Sequence, residues 1–270
     1  MKIVLIGAGN LATQLGLALT ETPHTVVQLY SRTRESAAEA AVRLGCPYTT
    51  DLQNVTADAD LYILAVKDSA LPQLGQALIT EARRHALFVH TAGSMPMELL
   101  REAGARRYGV FYPMQTFSKR RRVDFSAIPC FTEAALPADA ALLDELARDL
   151  GTVSYPLSSE KRRLLHLSAV FACNFANHCY ALAGRIVEEA GIPFETLLPL
   201  IDETAAKVHE LPPAAAQTGP AVRYDENVMA TQLKLLEAFG EDLTKTYRVL
   251  SKSIHQTALR TRKETKTNPE

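Results

Sequence analysis

The stretch KIVLIGAGNLA, residues 2–12, decides the fold. Its first five residues form an apolar run typical of a buried strand, and the turn that follows matches the spacing G-x-G-x-x-G/A. In this spacing Gly7 permits the tight turn, Gly9 lets the backbone approach a pyrophosphate, and Ala12 lets a helix pack closely on the strand. We therefore expect a dinucleotide site here, and the alternative is a glycine-rich turn that binds nothing. The expected contact residues are Gly7, Ala8, Gly9, Asn10 and Leu11.

Outward from this turn, short apolar runs alternate with amphipathic stretches, and the pattern becomes helical near residue 158. Strands rich in Val, Ile and Leu favour a parallel sheet covered on both faces, and the strand–helix order favours a doubly wound fold. The sequence predicts strands at 2–6, 25–30, 61–66, 87–90, 108–111, 128–132 and 153–155, and long helices at 159–190, 194–210, 226–238 and 241–259. The predicted fold class is α/β, with a doubly wound Rossmann-type domain over residues 1–155 and an all-α domain for substrate and dimerisation over residues 156–270.

The end of the second predicted strand indicates which dinucleotide is bound. An NAD-binding fold places a carboxylate there to hold the ribose 2′-hydroxyl. This chain has Ser31, Arg32 and Thr33 instead, and a guanidinium flanked by two hydroxyls suits a 2′-phosphate. The sequence therefore predicts NADP as the cofactor. A solvated turn with Thr33 as a helix cap is the alternative, and it is compatible with NADP binding.

Small and polar residues follow the next three predicted strands, at the edge where ligands lie in open α/β sheets. Further cofactor contacts are expected from Ala65, Val66, Lys67, Thr91, Ala92 and Gly93. The polar side chains that could face the same crevice also include His90, Ser94, Tyr112 and Gln115. For each residue singly, a role in a turn or cap is the alternative.

Several motifs together resemble a family of uncharacterised Rossmann-like oxidoreductases with a helical C-terminal domain, in the pyrroline-5-carboxylate reductase and 6-phosphogluconate dehydrogenase-like superfamily. The motifs are GAGNLA (7–12), HTAGSMPMELL (90–100), YPMQTF (112–117), LHLSAVFACNFAN (165–177) and QTGPAVRYD (217–225). The resemblance covers nearly the whole chain. It implies a two-domain NADP-binding reductase that dimerises through the helical domain, and it implies no particular substrate. The family usually carries His where this chain has Tyr112, so any role of that His in proton transfer is altered or lost here.

Candidate catalytic residues lie on the predicted helix 159–190, which carries His166, Asn174 and Asn177. At 100° per residue these three side chains share one broad face. The pKa of a histidine is near working pH, so we interpret His166 as the proton donor or substrate-orienting group, with Asn174 holding the substrate. Ser94 is the third candidate catalytic residue. The alternative is that the helix residues satisfy buried backbone groups in a packing seam.

Composition limits the remaining function classes. The net charge of −1 gives no field that favours nucleic acid or membranes. Four widely spaced cysteines are typical of reduced thiols in a cytoplasmic protein, and we predict no metal site because ligand spacing is lacking. The cationic run at residues 119–122 is interpreted as a solvated loop, with a contact to a phosphate as the alternative.

Three functions stay open from the sequence. The first is an NADP-dependent oxidoreductase that transfers a hydride to or from a small, anionic ketone or imine. Arg223, beside the turn at residues 218–220, is a candidate to bind a substrate carboxylate. The second is an NADP-binding sensor or scaffold without turnover, since fold does not establish function. A deazaflavin-linked reductase of similar architecture would share the first domain.

Overall fold

Eight strands form one sheet in the computed structural model, which describes residues 1–267. In chain order they are β1 (Lys2–Ile6), β2 (Thr25–Tyr30), β3 (Tyr48–Thr49), β4 (Leu61–Leu64), β5 (Leu87–His90), β6 (Arg107–Pro113), β7 (Cys130–Ala134) and β8 (Ser154–Pro156). Their order across the sheet is β3-β2-β1-β4-β5-β6-β7-β8. Neighbours are parallel except for β6 and β7, which pair antiparallel. The strand order reverses beside β1, so the glycine-rich turn lies at the switch point of a doubly wound sheet.

The sheet is covered on both faces by the five helices of the α/β region. These are α1 (Asn10–Leu19), α2 (Arg34–Leu44), α3 (Leu71–Leu78), α4 (Glu98–Glu102) and α5 (Pro137–Asp149). Side chains of β1 alternate between the two faces, with Ile3 and Leu5 in one core and Val4 and Ile6 in the other. The first core contains α1, α2 and α5, and the second contains α3 and α4. Burial on both faces explains why the strand is continuously apolar.

The rest of the described chain is mainly helical. Its helices are α6 (Ser159–Ala169), α7 (Ala176–Glu189), α8 (Leu198–Glu210), α9 (Pro213–Ala216), α10 (Pro220–Arg223), α11 (Glu226–Leu236) and α12 (Glu241–Thr267). The chain divides into two compact units, one up to Cys173 and one from Asn174 onward. The predicted α/β fold class with a helical C-terminal region is confirmed, whereas the domain division at residue 155 stays a prediction. Within residues 1–267 no helix combines the length and the apolar character that a membrane crossing needs.

The prediction of one continuous helix over residues 159–190 is wrong at one segment. Residues Val170–Phe175 form a π-helix between α6 and α7. A π-turn holds one extra residue, so the side chains that follow are rotated by about 100° from the positions of an unbroken α-helix. The argument that His166, Asn174 and Asn177 share one face therefore no longer follows from their spacing.

Smaller departures concern element ends. Strand β3 has only two residues, too few to give a periodic signal, and the predicted strands did not include it. Helix α12 continues to Thr267 instead of ending near residue 259. Two single-turn helices, α9 and α10, lie between the predicted helices 194–210 and 226–238. Both begin at proline, which suits the first turn of a helix because its missing N–H has no partner there in any case.

A candidate nucleotide-binding and catalytic site

One cavity of about 750 Å³ lies at the carboxyl ends of β1, β2, β4 and β5. Its volume is within the usual range of small-molecule and cofactor sites. The residues predicted to bind the cofactor all line it: Gly7, Ala8, Gly9, Asn10, Leu11, Ser31, Arg32, Thr33, Ala65, Val66, Lys67, Thr91, Ala92 and Gly93. Residues from four separate strand ends therefore lie around one cavity, at the edge of the sheet where open α/β folds bind ligands.

The two glycines of the turn differ in what they permit. Gly7 has φ +123°, and a Cβ atom added there would lie 2.2 Å from the carbonyl oxygen of Ala65. Glycine is therefore needed at this position for the fold itself. At Gly9 an added Cβ would meet no atom within 4 Å, although the residue lines the cavity. This open space next to the start of α1 fits a pyrophosphate group, which backbone amides can approach closely there.

The β2 end of the cavity has the chemistry of a phosphate site. Ser31, Arg32, Thr33 and Ser36 line it. Thr33 is the N-cap of α2, with extended backbone angles, and within the described chain its hydroxyl makes no capping hydrogen bond. A guanidinium, three hydroxyls and a helix N-terminus together provide donors for a doubly charged phosphate.

At the other end of the cavity Tyr112 and His166 form a hydrogen-bonded pair. The tyrosine hydroxyl lies 3.1 Å from Nδ1 of the half-buried His166, and both residues line the cavity. Burial raises the pKa of Tyr112, so its hydroxyl keeps its proton at neutral pH. The imidazole lies directly over Gly93, where an added Cβ would come within 2.5 Å of Nδ1. Glycine at position 93 therefore makes room for the His166 ring.

Ser94, a predicted catalytic residue, forms a hydrogen bond with a side chain from a neighbouring loop. Ser94 does not itself line the cavity; its hydroxyl donates to Oδ2 of Asp68, which follows β4 and does line it. The pair links the loops after β4 and β5 beside the Tyr112–His166 pair. Asn174 is exposed and belongs to the second compact unit, so its predicted role in holding the substrate stays a prediction.

His90 does not line the cavity, although the sequence made it a candidate. Its ring is fully buried; Nδ1 accepts a hydrogen bond from the amide of Ala92 at 3.2 Å, and Nε2 lies 3.3 Å from the carbonyl oxygen of Pro96. Because a backbone amide donates to Nδ1, the proton of the neutral ring is on Nε2. Burial lowers the pKa of His90 to about 4, with a smaller effect from the Arg162 charge. The residue therefore holds the loop after β5 in place.

Arg162 was missed by sequence reasoning. Its guanidinium is fully buried and pairs with Glu133 at 2.6 Å. It also donates to the carbonyl oxygens of Ala92 at 3.3 Å and Met95 at 2.5 Å, both in the loop after β5. Arg162 precedes His166 by one helical turn on α6, so one helix fixes the loop and supplies the imidazole. No sequence signal indicates this role, because an arginine among charged helix residues is typical of an exposed face.

Within the described chain, no group of three His, Cys, Asp or Glu side chains is placed to hold a metal ion. The four cysteines are free thiols. Burial raises the pKa of Cys130 to about 12, so this thiol stays protonated.

Known protein families and structures resemble both halves of the chain. A Rossmann-like domain model matches residues 1–108, and the model of a domain of unknown function (DUF2520) matches residues 128–254. A Bacteroides fragilis protein of known structure, described provisionally as an NADP oxidoreductase, is 53% identical, with a TM-score of 0.90 and coverage of 94% of this chain and 98% of that one. The chain therefore belongs to the same family as this Bacteroides fragilis protein. The predicted membership of a Rossmann-like oxidoreductase family with a helical second half is confirmed.

More distant structures share the fold of this family. A pyrroline-5-carboxylate reductase from Streptococcus pyogenes is 17% identical with a TM-score of 0.62, and the match covers 96% of this chain and 98% of that one. An imine reductase from Myxococcus stipitatus, solved in complex with NADP+, is 17% identical with a TM-score of 0.65 and coverage of 98% and 95%. A search of curated protein sequences found no match.

Proposed function

We propose that the protein is an NADP-dependent oxidoreductase that transfers a hydride to or from a small, anionic ketone or imine. The observation that carries the proposal is one cavity lined both by the dinucleotide-binding turn and by the Tyr112–His166 pair. The Bacteroides fragilis relative and the imine reductase in complex with NADP+ support the choice of cofactor. The polar end of the cavity favours an enzyme over an NADP-binding sensor, for which we expect apolar side chains there.

In this proposal the chain positions the cofactor through its strand ends. Backbone amides at Gly9 and Asn10 hold the pyrophosphate, and Arg32 with its neighbouring hydroxyls holds the 2′-phosphate. The loop at Thr91–Gly93 supports the nicotinamide end. NADPH, when bound, supplies the hydride.

We assign to the Tyr112–His166 pair the transfer of the proton that the substrate takes up when it is reduced. When the protonated Tyr112 hydroxyl donates to Nδ1 of His166, the Nε2 atom carries the proton. His166 then gives the Nε2 proton to the substrate oxygen or nitrogen while the carbon is reduced, and Nδ1 takes up the Tyr112 hydroxyl proton, which solvent replaces. The same transfers run backwards in the reverse direction. Asn174 stays a candidate to hold the substrate, and the Asp68–Ser94 pair to orient it.

Two charged residues of the same cavity indicate what substrates to test. Lys67 lines the cavity and attracts a carboxylate, while Asp68 next to it attracts a cationic nitrogen. A small imino acid matches both charges once its nitrogen has taken up the proton from His166. A keto acid matches only Lys67.

The test is NADPH consumption with a panel of small ketones and cyclic imines, each with and without a carboxylate. We expect turnover of at least one carboxylate-bearing imine or ketone. His166→Gln is expected to lower kcat by about 100-fold or more, because positioned proton transfer contributes at least that factor. The matched control is His85→Gln, at an exposed histidine whose imidazole does not line the cavity. Tight NADPH binding with no turnover of any panel member would contradict the proposal and favour the sensor.

We also propose that the protein is a cytoplasmic homodimer formed through the helical unit. Of the side chains described there, only three apolar ones are buried, Ala221, Leu236 and Leu243, while Leu200 and Leu235 are 65% and 67% exposed. So much exposed apolar surface favours a partner of the same kind. Free thiols are typical of a reducing compartment.

Sedimentation tests the dimer, with an expected mass of about twice the 29.6 kDa of one chain. Leu200→Asp combined with Leu235→Asp is expected to give the monomer. Val42→Asp, at an 83% exposed site on α2, is the control and should leave the dimer intact. A wild-type mass of one chain at micromolar concentration would contradict the dimer.

A further inference from the structure

We infer that Lys119 is a second cation for the 2′-phosphate of NADP, supplied by the loop after β6 and not by the end of β2. The inference rests on the proposed NADP function. It goes beyond it because the predicted phosphate contacts, Ser31, Arg32 and Thr33, all come from the β2 end.

The loop after β6 returns across the sheet to the nucleotide side. Three consecutive carbonyl oxygens, at residues 117–119, accept side-chain hydrogen bonds from the first two helices. Asn10 donates to the first at 2.9 Å, Gln14 to the second at 2.6 Å, and Arg43 to the third at 2.9 Å. Because Asn10 and Gln14 lie on α1 and Arg43 on α2, the loop is fixed across the start of α1 and reaches α2.

The side chain of Lys119 ends beside the first turns of α2. Its Nζ atom lies 2.9 Å from Oε2 of Glu39, and the Lys119 side chain is only 28% exposed. Glu39 follows Ser36 by three residues, so the two share a face of α2. Ser36, Lys119 and Arg32 all line the same cavity. The ammonium group is thus held against α2, in the same cavity as the β2 residues of the phosphate site.

The other three cations of the run are placed differently. Arg120 and Arg121 are exposed and do not line the cavity. Arg122 pairs with Glu21 near the end of α1. The two interpretations of the run therefore apply to different residues, because Arg120 and Arg121 are solvated while Lys119 faces the nucleotide cavity.

Glu39 holds the Lys119 side chain in one position before a phosphate binds. It orders a long, flexible side chain before the ligand arrives, which lowers the entropy that binding must overcome. A phosphate monoester carries up to two negative charges at neutral pH. It can therefore share the ammonium with the single charge of Glu39 while it also binds Arg32, which lines the same cavity.

The experiment is calorimetric titration of the full chain with NADPH and with NADH. Lys119→Gln is expected to weaken NADPH binding about tenfold, as loss of a charge-assisted hydrogen bond predicts, and to change NADH binding by less than about twofold. Arg120→Gln removes the same charge from the adjacent position and should change neither affinity by more than about twofold. Thermal unfolding of the two variants is expected to agree, which excludes misfolding as the cause.

Two outcomes would contradict this inference and leave the proposed function intact. The first is unchanged NADPH affinity in Lys119→Gln. The second is an equal loss of affinity for NADPH and NADH, which would place the lysine at a group common to both cofactors. Glu39→Gln keeps the ammonium and an oxygen that can accept its hydrogen bond, so the lysine stays ordered and NADPH affinity should change by less than about twofold. A loss as large as that of Lys119→Gln would instead show that the ion pair acts by holding the loop. Failure of the wild type to bind NADPH at all would overturn the proposed function itself.

Discussion

We predict that alanine at Gly7 and alanine at Gly9 cause different defects. Gly7→Ala places a Cβ atom 2.2 Å from the carbonyl oxygen of Ala65, at a backbone φ of +123°. Relief requires movement of backbone in the loop after β4, and strain of this kind costs about 3 kcal/mol of unfolding free energy or more. The variant should therefore lose both stability and cofactor binding.

Gly9→Ala should keep its stability. The residue has an ordinary extended backbone at the N-cap of α1, with φ −77°, and its added Cβ meets no atom within 4 Å. Lower entropy of the unfolded chain favours alanine by about 0.4–1 kcal/mol, and the poorer N-cap offsets this by a similar amount. The net change in unfolding free energy should stay within about 1 kcal/mol. The new methyl group, however, fills the space assigned to the pyrophosphate.

We expect Gly9→Ala to weaken NADPH binding by at least about tenfold, which is about 1.4 kcal/mol. The assay combines denaturant unfolding with calorimetric titration of wild type and both variants. NADH should lose affinity equally, because the pyrophosphate is common to both dinucleotides. If Gly9→Ala binds NADPH like the wild type, the cofactor does not approach the turn, and the assignment of this cavity to a dinucleotide is wrong.

Two further predictions concern the loop after β5. Gly93→Ala should displace the His166 ring, because the new Cβ would lie 2.5 Å from Nδ1, and so break its hydrogen bond to Tyr112; nitrogen NMR of the imidazole should show a changed tautomer balance, and an unchanged spectrum would contradict the packing. The pKa of His90 is lowered to about 4 from an ordinary value of 6.5, so the unfolded chain binds the proton first as pH falls. Unfolding free energy should therefore drop by up to about 3 kcal/mol between about pH 6.5 and pH 4. His90→Gln should flatten this part of the profile and His85→Gln, at an exposed site, should not; equal slopes in all three proteins would refute the assignment.

Much of the nucleotide-binding half was predictable because its signals are local. Strand, turn and first helix follow each other within residues 2–19, and each glycine acts through its own backbone. The carboxyl ends of parallel strands meet at one edge, so the residues at 31–33, 65–67 and 91–93 could be grouped without knowing side-chain positions. All of them line the observed cavity.

The substrate end was less predictable because it depends on contacts between distant parts of the chain. Tyr112 and His166 are 54 positions apart, and only packing of α6 against the loop after β5 brings them together. Helical spacing could not predict which side chains share a face with His166, because the π-helix at Val170–Phe175 changes the rotation per residue. The sequence of this segment has no glycine or proline to mark it. Burial of Arg162 depends on partners in the loop after β5 and in β7 as well as on its own helix, and no single stretch of sequence shows this combination.

The central claim is that the chain binds NADP through the end of β2, and calorimetric titration of wild type and Arg32→Ala with NADPH and NADH tests it most directly. We predict tight NADPH binding by the wild type, a loss of about 1.5–3 kcal/mol in Arg32→Ala, as removal of a charged hydrogen-bond donor implies, and little change for NADH. Binding of neither nucleotide by the wild type would contradict the account.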